Sequence, residues 1–388
     1  MTRGTPATIS AYFLGLLLLS AAAPAAHADE WTATGRFSQS VEFSDNRALS
    51  DDPAGETYGF YSQLMLDAVR QDDTSRFEFN ANLSYQNLQG PGEDQNAAPM
   101  DNGLRFLFEQ SIDPTTKYNF GGAWRRQDAT SAQLSDTGSV IVGGDINTFN
   151  LDGGITHKID ATDDVHFALH GTRIDFNSSS NSDYSDMIAA ADWSRRLSPI
   201  SAWLMTSEFE WLALDDSEFG DTFIGRLKTG ITMQPSRYLS VTGNVGVGFR
   251  NSPQDPSDNV NVDWLGDLQL LYSPLATTQF SLNLVHTVAP DVLGDVQSRS
   301  VLSAGVHQAI NRESGISLRT DYSLATQGQG LDRGDVDYFR TAVTYDRKLT
   351  REWVAQLSYT FAQRIDDTGT ASSNTFYLSA VHDFTILP

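Results

Sequence analysis

The chain has 388 residues, no cysteine, 26 basic against 49 acidic side chains, and a formal net charge of −23. The missing thiols exclude cysteine metal centres, thiol catalysis, disulfides and covalent haem attachment, and the acidic balance argues against nucleic acid as a partner. At 11% aromatic residues, the chain carries too much ring surface for a disordered acidic tail.

Residues 1–28 read as a secretory signal peptide. Arg3 supplies a basic start, residues 11–23 an apolar run around Leu14 and Leu16 to Leu19, and Ala26-His27-Ala28 a small-residue cleavage site before Asp29. The run is too short and wrongly flanked for a membrane helix. Cleavage after Ala28 leaves residues 29–388 as one domain beyond the inner membrane. Losing Arg3 leaves 25 basic against 49 acidic side chains, a net charge near −24.

Strict alternation then organises the chain. Over Arg76 to Gln86, Phe77, Phe79, Ala81, Leu83 and Tyr85 share one face; Arg76, Glu78, Asn80, Asn82, Ser84 and Gln86 share the other. A period of two suits a strand and would be wasted on a helix. The pattern recurs at 200–213, at 260–272 with Val260, Val262, Trp264, Leu268, Leu270 and Tyr272, at 316–324, and at 351–364. Each run has the roughly 9–11 residues that a transmembrane strand needs.

Turn formers mark the short connections: Asp72-Asp73-Thr74, Asp113-Pro114-Thr115, Asp160 to Asp163, Ser198-Pro199, Gln234-Pro235-Ser236, Ser273-Pro274, Asn311 to Ser314 and Thr350-Arg351. Longer acidic stretches fall between them, at 45–57, 88–100, 128–145, 177–183, 214–220, 251–258, 289–297, 327–335 and 366–373. Eight short turns and nine long loops imply about eighteen strands. The expected fold is all-β, a transmembrane antiparallel up-and-down barrel with both termini in the periplasm. A soluble propeller or solenoid lacks this alternation of short and long connections. Trp203 lies near a periplasmic turn, with Phe209 and Trp211 near the next external loop, as interfacial aromatic belts require.

A charge facing lipid at mid-membrane costs roughly 2–4 kcal/mol, so charged residues on the polar parity belong in the lumen. The candidates are Glu208, Glu210, Arg226, Lys228, Arg319, Asp321, Arg340 and Arg364, with Asp383 beside them. They fit either a solute path, with arginines facing carboxylates across a constriction, or pairs that stiffen the wall. His166 and His170 share a strand face but stand about 13 Å apart, too far to hold one metal. Glu208 and Glu210 have a spacing that glycosidases use, but adjacent arginines are equally good partners for them. No Gly-x-Ser-x-Gly elbow or His-Glu-x-x-His motif occurs. Catalytic, cofactor and metal residues are therefore expected to be absent. Asp51, Asp52, Asp215, Asp216, Asp255, Asp258, Asp332, Asp335, Asp366 and Asp367 would ring the external mouth. There they form a solvated surface, attract cations, or hold divalent ions that bridge lipopolysaccharide.

Phe37 to Phe43 followed by Ser44-Asp45-Asn46 resembles the opening of the β-barrel porin 2 family, which includes the EpsL-type outer-membrane proteins of exopolysaccharide gene clusters. Ser198-Pro199-Ile200-Ser201, Pro235 to Ser240, Thr350-Arg351-Glu352-Trp353 and Ser373 to Ser379 are similar to that family as well. The resemblance implies an outer-membrane barrel serving surface-polysaccharide export, and no catalytic residue. The chain departs from the usual aromatic finish of such barrels by running past Phe384 to Pro388. Three readings of function stand: a porin-like channel for small solutes or a secreted polysaccharide, a non-conducting assembly barrel plugged by its own loops, and a barrel-embedded hydrolase with a Ser/His pair on its exterior. The expected partners are outer-membrane lipid and lipopolysaccharide, the solute or polysaccharide, and the barrel-insertion machinery.

Overall fold

Alternating sequences bury nothing alone, so each strand must pair with a neighbour on both sides. A computed structural model of the chain describes residues 30–387 other than 54, 91–100, 130–131, 134–143, 178–181, 216–220, 252–259, 292–293, 295, 328–334 and 368. The expected signal peptide lies outside the described residues, as do Asp216, Asp255, Asp258 and Asp332. The first nine strands are β1 (Glu30–Ser44), β2 (Thr57–Gln71), β3 (Ser75–Gln89), β4 (Asn102–Ser111), β5 (Thr116–Asp128), β6 (Asp145–Lys158), β7 (Asp163–Phe176), β8 (Tyr184–Ser198) and β9 (Ser201–Leu214). The other nine are β10 (Thr222–Ser236), β11 (Leu239–Asn251), β12 (Asn261–Leu275), β13 (Thr278–Pro290), β14 (Val296–Ala309), β15 (Ser314–Gln327), β16 (Val336–Lys348), β17 (Trp353–Asp366) and β18 (Gly369–Leu387).

Sequential strands pair antiparallel, and β1 pairs with both β2 and β18, which closes an 18-stranded barrel. Closure removes the free edges that an open sheet would present. The closing seam is polar on its inner face: the Ser40 and Ser379 hydroxyls lie 2.7 Å apart, and Arg36 Nε donates to Asp383 Oδ1 at 2.6 Å.

Seven of the eight short turns close through their own side chains. Asp72 Oδ1 accepts from the amides of Thr74 and Ser75 at 2.8 and 2.7 Å. Asp113 Oδ1 accepts from Thr115 and Thr116, and Asp160 Oδ1 from Thr162 and Asp163. Hydrogen bonds of this kind favour the ionised form. The Ser75 hydroxyl, aided by the turn amides, holds Asp72 well below the usual carboxylate range. The Thr115 hydroxyl lowers the pKa of Asp113 and the Thr162 amide lowers that of Asp160.

Three boundaries differ from the sequence expectation. The turns expected at 234–236 and 273–274 fall at 237–238 and 276–277, because β10 and β12 run on through Pro235 and Pro274. Both prolines sit at register shifts, between Met233 and Ser236 and between Tyr272 and Leu275. A bulge tolerates a residue without an N–H where a regular ladder does not. The loop expected at 366–373 is a tight hairpin instead. β18 starts at Gly369, and its first residues pair with β17 from Asp366 back to Gln363. Beyond the bilayer, Thr370, Ser372 and Ser373 need no apolar face to form a ladder.

The outer face carries the apolar parity. Leu227 and Phe223 of β10, Phe209 and Trp211 of β9, and Leu284 of β13 are exposed there. Rings gather at two levels. Trp193 packs on Trp203 at 5.2 Å and Tyr272 on Phe280 at 6.1 Å near the short turns; Phe209 packs on Phe223 at 6.0 Å near the long connections. These are the two girdles of an outer-membrane barrel.

Candidate functional site

The lumen is shaped by segments that fold into its outer half. The β12–β13 ladder stops at Gly266–His286, whereas the β13–β14 ladder continues to Pro290–Val296. The outer end of β13 therefore parts from β12 and bends into the lumen, while β14 stays paired with β15 as far as Gln297–Gln327. Arg226 of β10 donates to Val288 O from Nε at 2.9 Å and from Nη2 at 2.7 Å. Arg250 Nη1 of β11 donates to Val296 O at 3.2 Å, and Tyr184 Oη of β8 to Asp291 O at 3.1 Å.

Val296 then packs against a buried cluster of Ala129, Ala132, Ile146, Ile174, Tyr184 and Leu212. Ile146, Ile174, Tyr184 and Leu212 point inward from β6, β7, β8 and β9. Ala129 and Ala132 belong to the β5–β6 connection, whose Gln133 Nε2 donates back to Ala129 O at 2.9 Å. On the other side, Leu49 of the β1–β2 connection packs on Tyr338 and Ala371. Its φ of 51° is unusual for a side-chain-bearing residue, and nearby contacts hold it: Asn46 donates to Ser50 O at 2.7 Å and to Ser372 O at 3.0 Å.

An acidic wall faces this constriction from β6–β9. Arg226 pairs with Glu210 and, at 3.4 Å, with Glu208; Lys228 approaches Glu208 at 3.5 Å. The Arg226 and Glu210 side chains are only 6% and 1% exposed. A pair so buried needs further hydrogen bonds, and Arg226 makes two to Val288 O. Asp186 of β8 lies beside it, with Oδ1 buried and without a hydrogen-bond partner, as is Glu210 Oε1. His170 bonds Asp152 through Nδ1, and Nε2 lies 2.8 Å from the Thr172 hydroxyl; His166 Nδ1 lies 2.9 Å from Thr156 Oγ1. Among the described residues, no group of three or more His, Asp or Glu is placed to hold a metal.

The nearly opposite wall is basic. Arg299 of β14, Arg340 of β16 and Arg319 of β15 descend it, with Asp321 among them. Arg340 stands directly across from Asp321 in the β15–β16 register. Arg319 bonds Asp321 at 2.9 Å while its side chain stays 69% exposed to the lumen. Arg299 Nε reaches Ser323 Oγ at 3.3 Å. Below them lies a cavity of about 760 Å³, lined by Ser240, Thr242, Gln269, Gln279, Asn283 and Ser303 among other polar side chains, with Arg319 at its edge.

All eight lumen candidates of the sequence reading face inward. The structure joins Glu208, Glu210, Arg226 and Lys228 into one cluster and Arg319, Asp321 and Arg340 into another. Arg364 stands apart, buried, bonding Asp51 at 3.1 Å and Asp366 at 3.0 Å. Asp51 thus belongs to a loop clamp rather than to a free acidic rim. Asp215 likewise accepts from Arg173, whose guanidinium holds its carboxyl below the usual range. Sequence reasoning missed Tyr184, Asp186, Arg250 and Arg299. It also passed over the signal that locates the inward segments: Ile146, Ile174, Leu212 and Ile224 are apolar residues on the polar parity.

No family model matches the chain, and no curated protein sequence does. Solved structures do match. OccK2 (OpdF) of Pseudomonas aeruginosa superposes with a TM-score of 0.55 at 10% identity, covering 92% of this chain and 99% of that one. A BenF-like porin from Pseudomonas fluorescens gives 0.53 at 11% identity over the same shares, and OccK9 (OpdG) of P. aeruginosa 0.53 at 10%. The fold is that of an outer-membrane porin. At such identities the likeness extends to the fold alone.

Proposed function

We propose that the protein is an outer-membrane channel for small hydrophilic solutes, with a preference for hydroxylated anions. The observation that carries this reading is the descent of Arg299, Arg340 and Arg319 into a cavity lined by hydroxyls and amides. Guanidiniums lining an aqueous path, with Arg319 69% exposed to it, attract an anion. Serine, threonine, glutamine and asparagine side chains exchange hydrogen bonds with a polyol about as readily as water does, so the solute is held weakly enough to leave.

Eighteen strands leave room for an aqueous lumen. The described inward segments narrow its outer half, as a filter does. OccK2 has also been solved in complex with glucuronate, a hydroxylated carboxylate of this kind. No observation favours passage of a polysaccharide, an assembly role or a hydrolase.

The test is reversal potential under a salt gradient, with the refolded protein in planar bilayers. Wild type is expected to conduct with anion preference, and the Arg319→Gln/Arg340→Gln double variant to shift toward cations. Cation preference in wild type, or no openings from a correctly folded barrel, overturns the reading.

A further inference from the structure

The ladder between β12 and β13 ends early, although both strands continue. β12 is extended from Asn261 to Leu265, where it pairs only with β11, and β13 is extended from Thr287 to Pro290, where it pairs only with β14. Among the described residues, nothing interrupts either strand at Gly266 or His286. There is no proline and no register shift at that point. Carrying the existing register forward sets Leu265 opposite Thr287 and Asp263 opposite Ala289. The register of a complete wall is therefore already set by the pairs below the gap.

The structure shows what competes with it. Val288 O, one of the backbone groups that β12 would otherwise engage, is held by two N–H groups of Arg226. Arg226 is itself oriented by Glu210 and Glu208. Arg250 and Tyr184 take the carbonyls of Val296 and Asp291 further along the tip. The clasp makes four hydrogen bonds from three side chains. Extending the antiparallel ladder by the four pairs from Leu265–Thr287 to Val262–Pro290 would make a similar number. The hydrogen bonds thus exchange nearly one for one, while burial of Val288 and the packing of Val296 make the observed arrangement the resting one.

We propose that the outer end of β13, with the β14 residues paired to it, is a movable strap with two seats. In the observed seat it bends into the lumen, clasped by Arg226, Arg250 and Tyr184. In the other it zips onto β12, completes the wall and clears the constriction. Arg226 is then the residue that sets how wide the pore stands. The gating half of this proposal rests on the channel reading; the movement of the strap does not.

The test uses the absence of native cysteine. Leu265→Cys/Thr287→Cys places thiols where only the zipped seat brings them together. Asp267→Cys/Val285→Cys, one repeat lower on the paired ladder, is the positive control. The refolded barrel is oxidised in lipid vesicles, the cross-link is read by mass after proteolysis, and single-channel conductance is compared before and after reduction. The expected results are cross-linking in both variants and, for Leu265→Cys/Thr287→Cys, a conductance about twofold higher when oxidised than when reduced, as expected for a widened constriction. A control that cross-links while Leu265→Cys/Thr287→Cys does not overturns the strap. Cross-linking with unchanged conductance overturns its gating role. If every form, wild type included, is silent, the channel reading falls, and the cross-link alone decides whether the strap moves.

Discussion

The Arg226–Glu210 pair allows the structure to be tested in energetic terms. Arg226→Met removes the guanidinium but keeps most of its volume, leaving Glu210 stranded at 1% exposure and Val288 O without either donor. Removing one member of a buried ion pair costs about 3–5 kcal/mol, because the other charge is left uncompensated. Adding Glu210→Gln removes that charge, and since residues in direct contact couple by roughly 0.5–3 kcal/mol, the double variant should recover about 2 kcal/mol. Arg319→Met is the contrast, because its pair with Asp321 faces the lumen water and should cost less than about 1 kcal/mol. Equilibrium urea unfolding from lipid vesicles, followed by tryptophan fluorescence, measures all three. The reasoning is refuted if Arg226→Met lies within about 1 kcal/mol of wild type, or if the double variant is no more stable than the single.

Two further outcomes follow from the faces and the turns. Leu227→Arg places a charge on the lipid face and should cost roughly 2–4 kcal/mol in the same unfolding assay. Arginine at Gln279, inside the polar cavity, should leave stability nearly unchanged, and equal costs at the two positions would contradict the assignment of faces. The turn carboxylates bear on acid stability. Asp72, Asp113 and Asp160 have folded pKa values below their unfolded ones, so their contribution is complete above the unfolded value of about 3.9 and is lost as pH falls through the lower folded values. Replacing all three with alanine should therefore lower stability at neutral pH and flatten its decline below about pH 4; an unchanged acid slope would show that the turns carry none of it.

Much of the architecture was legible in the residues because its causes are local. A period of two over ten residues needs only neighbours in sequence, and the Arg76–Gln86 stretch already separates a lipid face from a lumen face. Asp72, Asp113, Asp160 and Asn311 announce their turns because each bonds its own backbone two or three residues on. Pro235 and Pro274 misled for the complementary reason: whether a missing N–H ends a strand or sits in a bulge depends on the partner strand.

The interior of the channel lay beyond that reach. Arg226 and Val288 are 62 residues apart and Tyr184 and Asp291 107. No local pattern tells a chain that the outer end of β13 parts from β12 and bends into the lumen. Parity put Arg226, Glu208, Glu210, Arg319 and Arg340 inside the barrel. The register of adjacent strands decided which of them clasp, setting Arg226 across from Glu208 and Arg340 across from Asp321. Only the folded wall brings Arg226 to Val288 O, because that contact joins strands three apart in the ring.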